Sequence, residues 1–175
     1  MKIFILLIAL LGLSVSQTDE SCPVCCSTLE DRPKMTYTFY INTGHFVGGE
    51  GDYAIDTYGY SGDSAHDARN DPTKDCEWDI GPAPATTYYL AECQDLMHTD
   101  VIRPCSFWMR PVEEGTTCGR SEIMLHGCQC CTDKDESEPP VDGCSKGCVI
   151  ISHENRKKAR VGDIIIVKKY EETTE

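Results

Sequence analysis

Apolar and polar residues alternate along this chain in short runs, and no long amphipathic helix and no internal repeat can be traced in it. Met35 to Ile41 is rich in β-branched and aromatic residues and predicts a strand. Asn42-Thr43-Gly44 predicts a turn, and Tyr53 to Tyr60 a second strand. Further short strands are predicted over 86–90, 107–110, 122–125, 149–151 and 164–167. Gly62 to Pro72 is polar and reads as a loop. Gly81-Pro82-Ala83-Pro84 reads as a turn, because proline suits neither a helix interior nor a central strand. Ser152 to Ala159 predicts one short helix, with Ser152 as N-cap and Asn155 at the third helical place. Residues 132–140 form an exposed acidic loop. The pattern predicts a mainly β fold, a compact sandwich or barrel with short helices.

The ends of the chain change the picture. Met1-Lys2 gives a positive start, Ile3 to Leu13 is apolar but too short to span a membrane, and Ser14-Val15-Ser16 offers small residues for cleavage. Residues 1–16 read as a signal peptide, not a membrane anchor. Residues 17–34 form a cysteine-rich arm, 35–170 the main domain and 171–175 an acidic tail. The expected location is secreted or extracellular, or the lumen of a secretory or vesicular compartment. The 16 Lys and Arg face 29 Asp and Glu, a formal charge of −13. Such a surface repels phosphate backbones and anionic lipids, which argues against nucleic acid as a partner.

The chain carries 12 cysteines, all beyond residue 16. In an oxidising compartment that density predicts a disulfide framework. If one of them is a free nucleophile, eleven remain, and an odd set cannot pair within one chain. A second free thiol, a metal site or a disulfide-linked homodimer would then be needed. His126, Cys128, Cys130 and Cys131 are too tightly spaced for a common zinc finger, so no metal and no cofactor is expected. His45, His66, His98 and His153 read as surface or turn residues, and Trp78 and Trp108 as core or cleft-wall residues.

Two small motifs carry candidate chemistry: Leu125-His126-Gly127, and Ser145-Lys146-Gly147-Cys148-Val149. A thiol becomes a strong nucleophile when a base takes its proton, and glycine lets backbone N–H groups approach a developing oxyanion. Two strand ends at one sheet edge would bring His126 and Cys148 together, with Ser145 bonding in the turn. A thiol so activated would label at neutral pH.

These motifs resemble the L,D-transpeptidase catalytic-domain (YkuD-type) family, which carries His-Gly, a loop, then Ser/Thr-x-Gly-Cys and apolar residues. The likeness is closer to a short branch known from antibacterial effectors. That branch is matched by Tyr60-Ser61-Gly62, Arg69-Asn70-Asp71-Pro72, Gly81-Pro82-Ala83-Pro84 with Tyr88, and Arg120. The resemblance spans about residues 35–168. It implies a Cys148 nucleophile, a His126 base held by a backbone carbonyl, and an oxyanion site at Gly147 and Cys148. It also implies substrate contacts from Arg69, Arg120, Tyr60 and Gly127, and a bacterial cell-wall stem peptide as substrate. The acyl-enzyme would pass to an amine (transpeptidation) or to water (hydrolysis). The chain departs from the family in three places. Lys146 replaces a second His, apolar Val149-Ile150-Ile151 replaces an Arg-bearing stretch, and the 128–144 loop is cysteine-rich. The alternative is a non-catalytic, disulfide-stapled secreted binding module in which Cys148 pairs with Cys144 or Cys131.

Overall fold

A computed structural model describes residues 32–94, 105–128 and 142–172. Its nine strands are β1 Thr36–Tyr40, β2 His45–Gly48, β3 Ile55–Tyr58, β4 Tyr60–Ser61, β5 Thr87–Gln94, β6 Ser106–Pro111, β7 Met124–His126, β8 Val149–Ile150 and β9 Ile164–Lys168, with one α-helical turn, α1 His153–Arg156, and two 3-10 turns, Gly51–Tyr53 and Ser64–His66. They form a single sheet in the order β3-β2-β1-β9-β5-β6-β7-β8-β4. β1 with β9 and β7 with β8 are parallel pairs, and the other neighbours are antiparallel.

The sheet nearly closes on itself, because its two outermost strands, β3 and β4, are separated in the chain by Gly59 alone. At Gly59 the chain leaves β2 and joins β8. A Cβ there would stand 2.1 Å from the Ile150 carbonyl oxygen, so only glycine permits so close a crossing. The Gly59 N–H donates to the Gly44 carbonyl at 2.7 Å, fixing the crossing to the turn after β1. The mainly β barrel expected from the pattern is therefore present.

Alternation along each strand sends one set of side chains inward. Tyr37, Phe39, Phe46, Tyr88, Leu90, Phe107, Leu125, Val149, Ile165 and Val167 fill the interior. A second, smaller cluster of Tyr60, Cys128 and Ile150, with Cys144 and Cys148 against it, lies apart from that core. Register explains the separation. Tyr60 faces Ile150 and Ser61 faces Val149, so Tyr60 and Ile150 share the face opposite to the core residue Val149.

The structure differs from the sequence reading at several elements. β2 was not expected, since Phe46 is its one fully buried apolar residue and Gly48-Gly49 follows at once. The strand expected over 53–60 is divided at Gly59 into β3 and β4. The expected helix over 152–159 is a single turn. Ser152 holds the N-cap place, with its carbonyl accepting from the Arg156 N–H at 3.0 Å, but its side chain caps no helix N–H, the hydroxyl accepting from the Asn155 side-chain amide at 2.9 Å. His153 is buried rather than superficial, because α1 packs on β7. The first described residues are pinned by Arg32, whose guanidinium bonds the buried Asp163 carboxylate at 2.7 and 3.2 Å. The proposed signal peptide lies outside the described residues, and among those no helix is long and apolar enough to cross a membrane.

Candidate active site

Cys148 is the one free cysteine among the described residues. Cys76 is bonded to Cys118 and Cys128 to Cys144, and Cys93 and Cys105 are also in disulfides. Cys144 is thus engaged elsewhere, which removes one of the two partners the binding-module reading offered to Cys148. Cys131, with Cys22, Cys25, Cys26 and Cys130, lies outside the described residues.

Leu125 pairs with Val149 and His126 with Ile150 across the parallel β7–β8 ladder. Extended by one step, the register sets Cys148 opposite Met124. Residues two apart on a strand share a face, so His126 and Cys148 project from one side of the sheet, one strand and two residues apart. That side is the one that carries Tyr60 and Ile150, not the core. The His126 side chain is buried, and its Nδ1 lies 2.8 Å from the Gly127 carbonyl oxygen. A carbonyl can only accept, so Nδ1 carries a proton and the basic lone pair of the neutral ring sits on Nε2.

The turn that presents Cys148 is bonded at every residue. The Ser145 hydroxyl donates to the Cys148 carbonyl at 2.6 Å and accepts from the N–H groups of Gly147 and Gly62, each at 3.1 Å. The Ser61 hydroxyl donates to the Gly147 carbonyl at 3.1 Å and accepts from the Ala83 N–H at 2.8 Å. Because the Gly147 N–H already serves Ser145, the expected pair of oxyanion donors is reduced toward the Cys148 N–H.

Cys148 is half-buried and lines a cleft of about 220 Å³ with Trp78, Asp79, Arg120, Ser121, Glu122, Ile123, Lys146 and Gly147. Burial pushes its thiol up to about 11. A backbone hydrogen bond from Met124 and the charge of Arg120 oppose that rise, and the Glu122 carboxylate adds to it. The resting thiol is therefore protonated at neutral pH, because desolvation disfavours the thiolate more than its neighbours favour it.

Arg120 reaches this cleft, but its guanidinium is buried and faces backbone. Nη1 donates to the carbonyls of Asp75 at 2.8 Å and Pro82 at 2.5 Å, and Nη2 to those of Gly81 at 2.9 Å and Lys146 at 3.2 Å. Tyr60 and Arg69 do not line this cleft. The Tyr60 hydroxyl accepts from the Cys144 N–H at 3.0 Å, and burial lifts this phenol to about 12. Arg69 covers the Tyr60 ring at 4.2 Å and bonds Asp142 at 3.1 Å. The structure thus brings Cys148, Gly147 and Arg120 to the cleft and sets His126 and Ser145 behind it. Tyr60 and Arg69 sit against the 142–144 segment, beside the Cys128–Cys144 bridge.

Sequence reasoning did not single out Asp79 or Glu122, it named Lys146 only as a departure from the family motif, and it gave Trp78 no particular cleft. The exposed Trp78 indole lies two residues after Cys76, whose bridge to Cys118 holds that segment beside the chain leading to Arg120. The cysteine count carried a signal for that bridge, but nothing in the spacing pairs those two.

Among solved structures, an L,D-transpeptidase from Mycobacterium smegmatis matches 77% of this chain and 58% of its own at 13% identity, with a TM-score of 0.43. The helical cell shape determining protein Pgp2 from Campylobacter jejuni matches 82% of this chain and 50% of its own at 14% identity, TM-score 0.47. An L,D-transpeptidase from Mycobacterium tuberculosis H37Rv matches 78% and 58% at 11% identity, TM-score 0.42. The chain thus spans between half and three fifths of the length of these proteins. No curated protein matches it significantly. The family model of the Tlde1 domain matches residues 56–173, a stretch that holds β4 to β9, His126 and the whole nucleophile turn, and the chain therefore belongs to the Tlde1 domain family.

Proposed function

We propose that this protein is a secreted cysteine acyl-transfer enzyme of the L,D-transpeptidase type, acting on peptidoglycan stem peptides. The observation that carries the reading is the placement of a free thiol, Cys148, in a cleft on the same sheet face as His126, whose Nδ1 is held by a backbone carbonyl. Membership of the Tlde1 domain family and the ordered motifs around residues 60, 70, 82, 120, 126 and 148 support it. The disulfides agree with folding in an oxidising compartment.

In the proposed reaction His126 Nε2 takes the proton of the Cys148 thiol as sulfur attacks a peptide carbonyl carbon. A C–S bond forms and the carbonyl becomes an oxyanion, which the Cys148 N–H stabilises. The C–N bond then breaks, and the proton held on His126 passes to the departing amine. A second amine or a water attacks the thioester and releases Cys148. A thiol that is protonated at rest fits this order, since the base acts only once substrate fills the cleft and excludes water. Trp78 and Lys146, both exposed, line the cleft, and an indole face and an ammonium suit a peptide ending in a carboxylate.

Purified peptidoglycan tests the reading. Wild-type protein is expected to release or exchange stem-peptide fragments, seen by liquid chromatography and mass spectrometry, while Cys148→Ala and His126→Ala release none. Fragment release at the wild-type rate by either variant would overturn it.

A further inference from the structure

We infer that Arg120 is a positioning residue for Cys148, a buried cation that fixes the nucleophile turn and favours its thiolate, rather than a group that binds substrate. The inference rests on the reading of Cys148 as nucleophile, and it follows from where the guanidinium donors go.

Two nitrogens of Arg120 serve four backbone carbonyls from three separate segments: Asp75, Gly81 with Pro82, and Lys146. The residue is only 6% exposed, so little of the guanidinium is left for a solute. A planar fork with fixed donors suits this task, and an ammonium on a flexible stem does not. Each anchored segment is itself held. Cys76 and Cys118 join the chain beside Asp75 to the chain beside Arg120. The Asp75 carboxylate bonds Lys169 at 2.9 Å and the Ala85 N–H at 3.3 Å. The Ala83 N–H reaches Ser61, which also holds Gly147. Arg120 is thus the hub through which disulfide, proline turn and nucleophile turn are kept in one arrangement.

Gly147 is the counterpart of that hub. Its φ of +136° is one that side-chain-bearing residues rarely adopt, and a Cβ would lie 2.1 Å from Arg120 Nη2. The glycine therefore makes room for the cation one residue before the sulfur. A positive charge so close, in a site shielded from water, favours the thiolate over the thiol. Besides the backbone hydrogen bond from Met124, Arg120 is the buried cation that does so: Asp79 and Glu122 of the cleft are anionic, and Lys146 is exposed.

The test is the pH dependence of Cys148 alkylation by iodoacetamide in the full chain, measured for wild type, Arg120→Gln and Arg120→Lys, with near-ultraviolet circular dichroism as the check on folding. In Arg120→Gln the profile is expected to move up by about one pH unit, which makes alkylation about tenfold slower on its rising limb. In Arg120→Lys, which keeps the charge but loses the fork, the profile is expected to stay nearer wild type, while kcat on peptidoglycan falls with KM held. A folded Arg120→Gln protein with the wild-type profile would overturn the inference. Should that variant not fold, Gly147→Ala displaces the guanidinium with Arg120 in place, and an unchanged profile there would equally overturn it. Alkylation needs no peptidoglycan. A shifted profile in a protein whose wild type releases no fragments would uphold the role of Arg120 and overturn the proposed enzyme.

Discussion

The Ser145 hydroxyl closes on the Cys148 carbonyl at 2.6 Å, and that bond makes the nucleophile turn a rigid element of the barrel. The same oxygen accepts from Gly147 and from Gly62, so one buried atom ties the turn to itself and to the residue after β4. Ser145→Ala strands three backbone groups. The expected cost is about 2–3 kcal/mol of stability, read as a lower urea midpoint at unchanged slope. An unaltered midpoint would show that water replaces the hydroxyl without loss.

The Cys128–Cys144 bridge spans the loop between the His126 strand and the Cys148 turn, with a sequence separation of 16. Closing a loop of that size stabilises a fold by about 3 kcal/mol in the chain-entropy picture. The Cys128→Ser, Cys144→Ser pair is expected to lower the melting temperature and to loosen Tyr60, whose hydroxyl accepts from the Cys144 N–H. Hydrogen exchange at residue 144 reads the second effect directly.

His45 links the end of the chain to the barrel. Its ring lies 2.6 Å from Glu171 and 2.9 Å from Asp56, stacks on Tyr58 at 5.0 Å, and has Tyr40 at 6.2 Å on another side. Burial pulls its pKa down, but the two carboxylates outweigh this and hold it above the usual 6.5. Glu171 is held below its usual 4.5, chiefly by the bond to His45. The raised histidine contributes fully below pH 6.5 and is lost as pH rises through its folded value. The lowered glutamate contributes above pH 4.5 and is lost as pH falls through its own. The difference in melting temperature between wild type and His45→Gln is therefore expected to peak between pH 4.5 and 6.5 and to vanish in alkali. A difference that grows with pH would contradict the assignment.

Trp78 stands exposed at the cleft beside Cys148. Removing an aromatic face that packs on substrate costs about 0.5–1.5 kcal/mol, or roughly 2- to 12-fold in affinity. Trp78→Ala is expected to raise KM by that factor with kcat little changed, and steady-state kinetics on a soluble stem peptide would show it. A fall in kcat alone would place the indole elsewhere in the mechanism.

Much of this arrangement could be read from the chain, and the part that could not has physical reasons. Strands β1, β5, β6, β8 and β9 announce themselves through β-branched and aromatic runs such as Thr36 to Tyr40 and Ile164 to Lys168. β2 does not, since a four-residue strand with one buried apolar residue leaves no periodicity to detect. His126 and Cys148 could be named from their motifs, but their common face depends on a parallel register that no local pattern encodes. Arg120 could be named too, whereas its four carbonyl partners come from three distant segments and from a disulfide that spacing does not select. The upward direction of the Cys148 pKa could not be read from the chain, because a motif shows which groups are near a thiol, not how thoroughly water is kept from it.

The most direct test of the central claim is intact-protein mass spectrometry after rapid acid quench of the enzyme with a purified stem peptide. The account predicts a transient mass increase equal to the acyl part of the peptide, mapped by digestion to Cys148 and absent from Cys148→Ser as a thioester. Turnover of the peptide with no adduct at Cys148, or with an adduct on another residue, would contradict it.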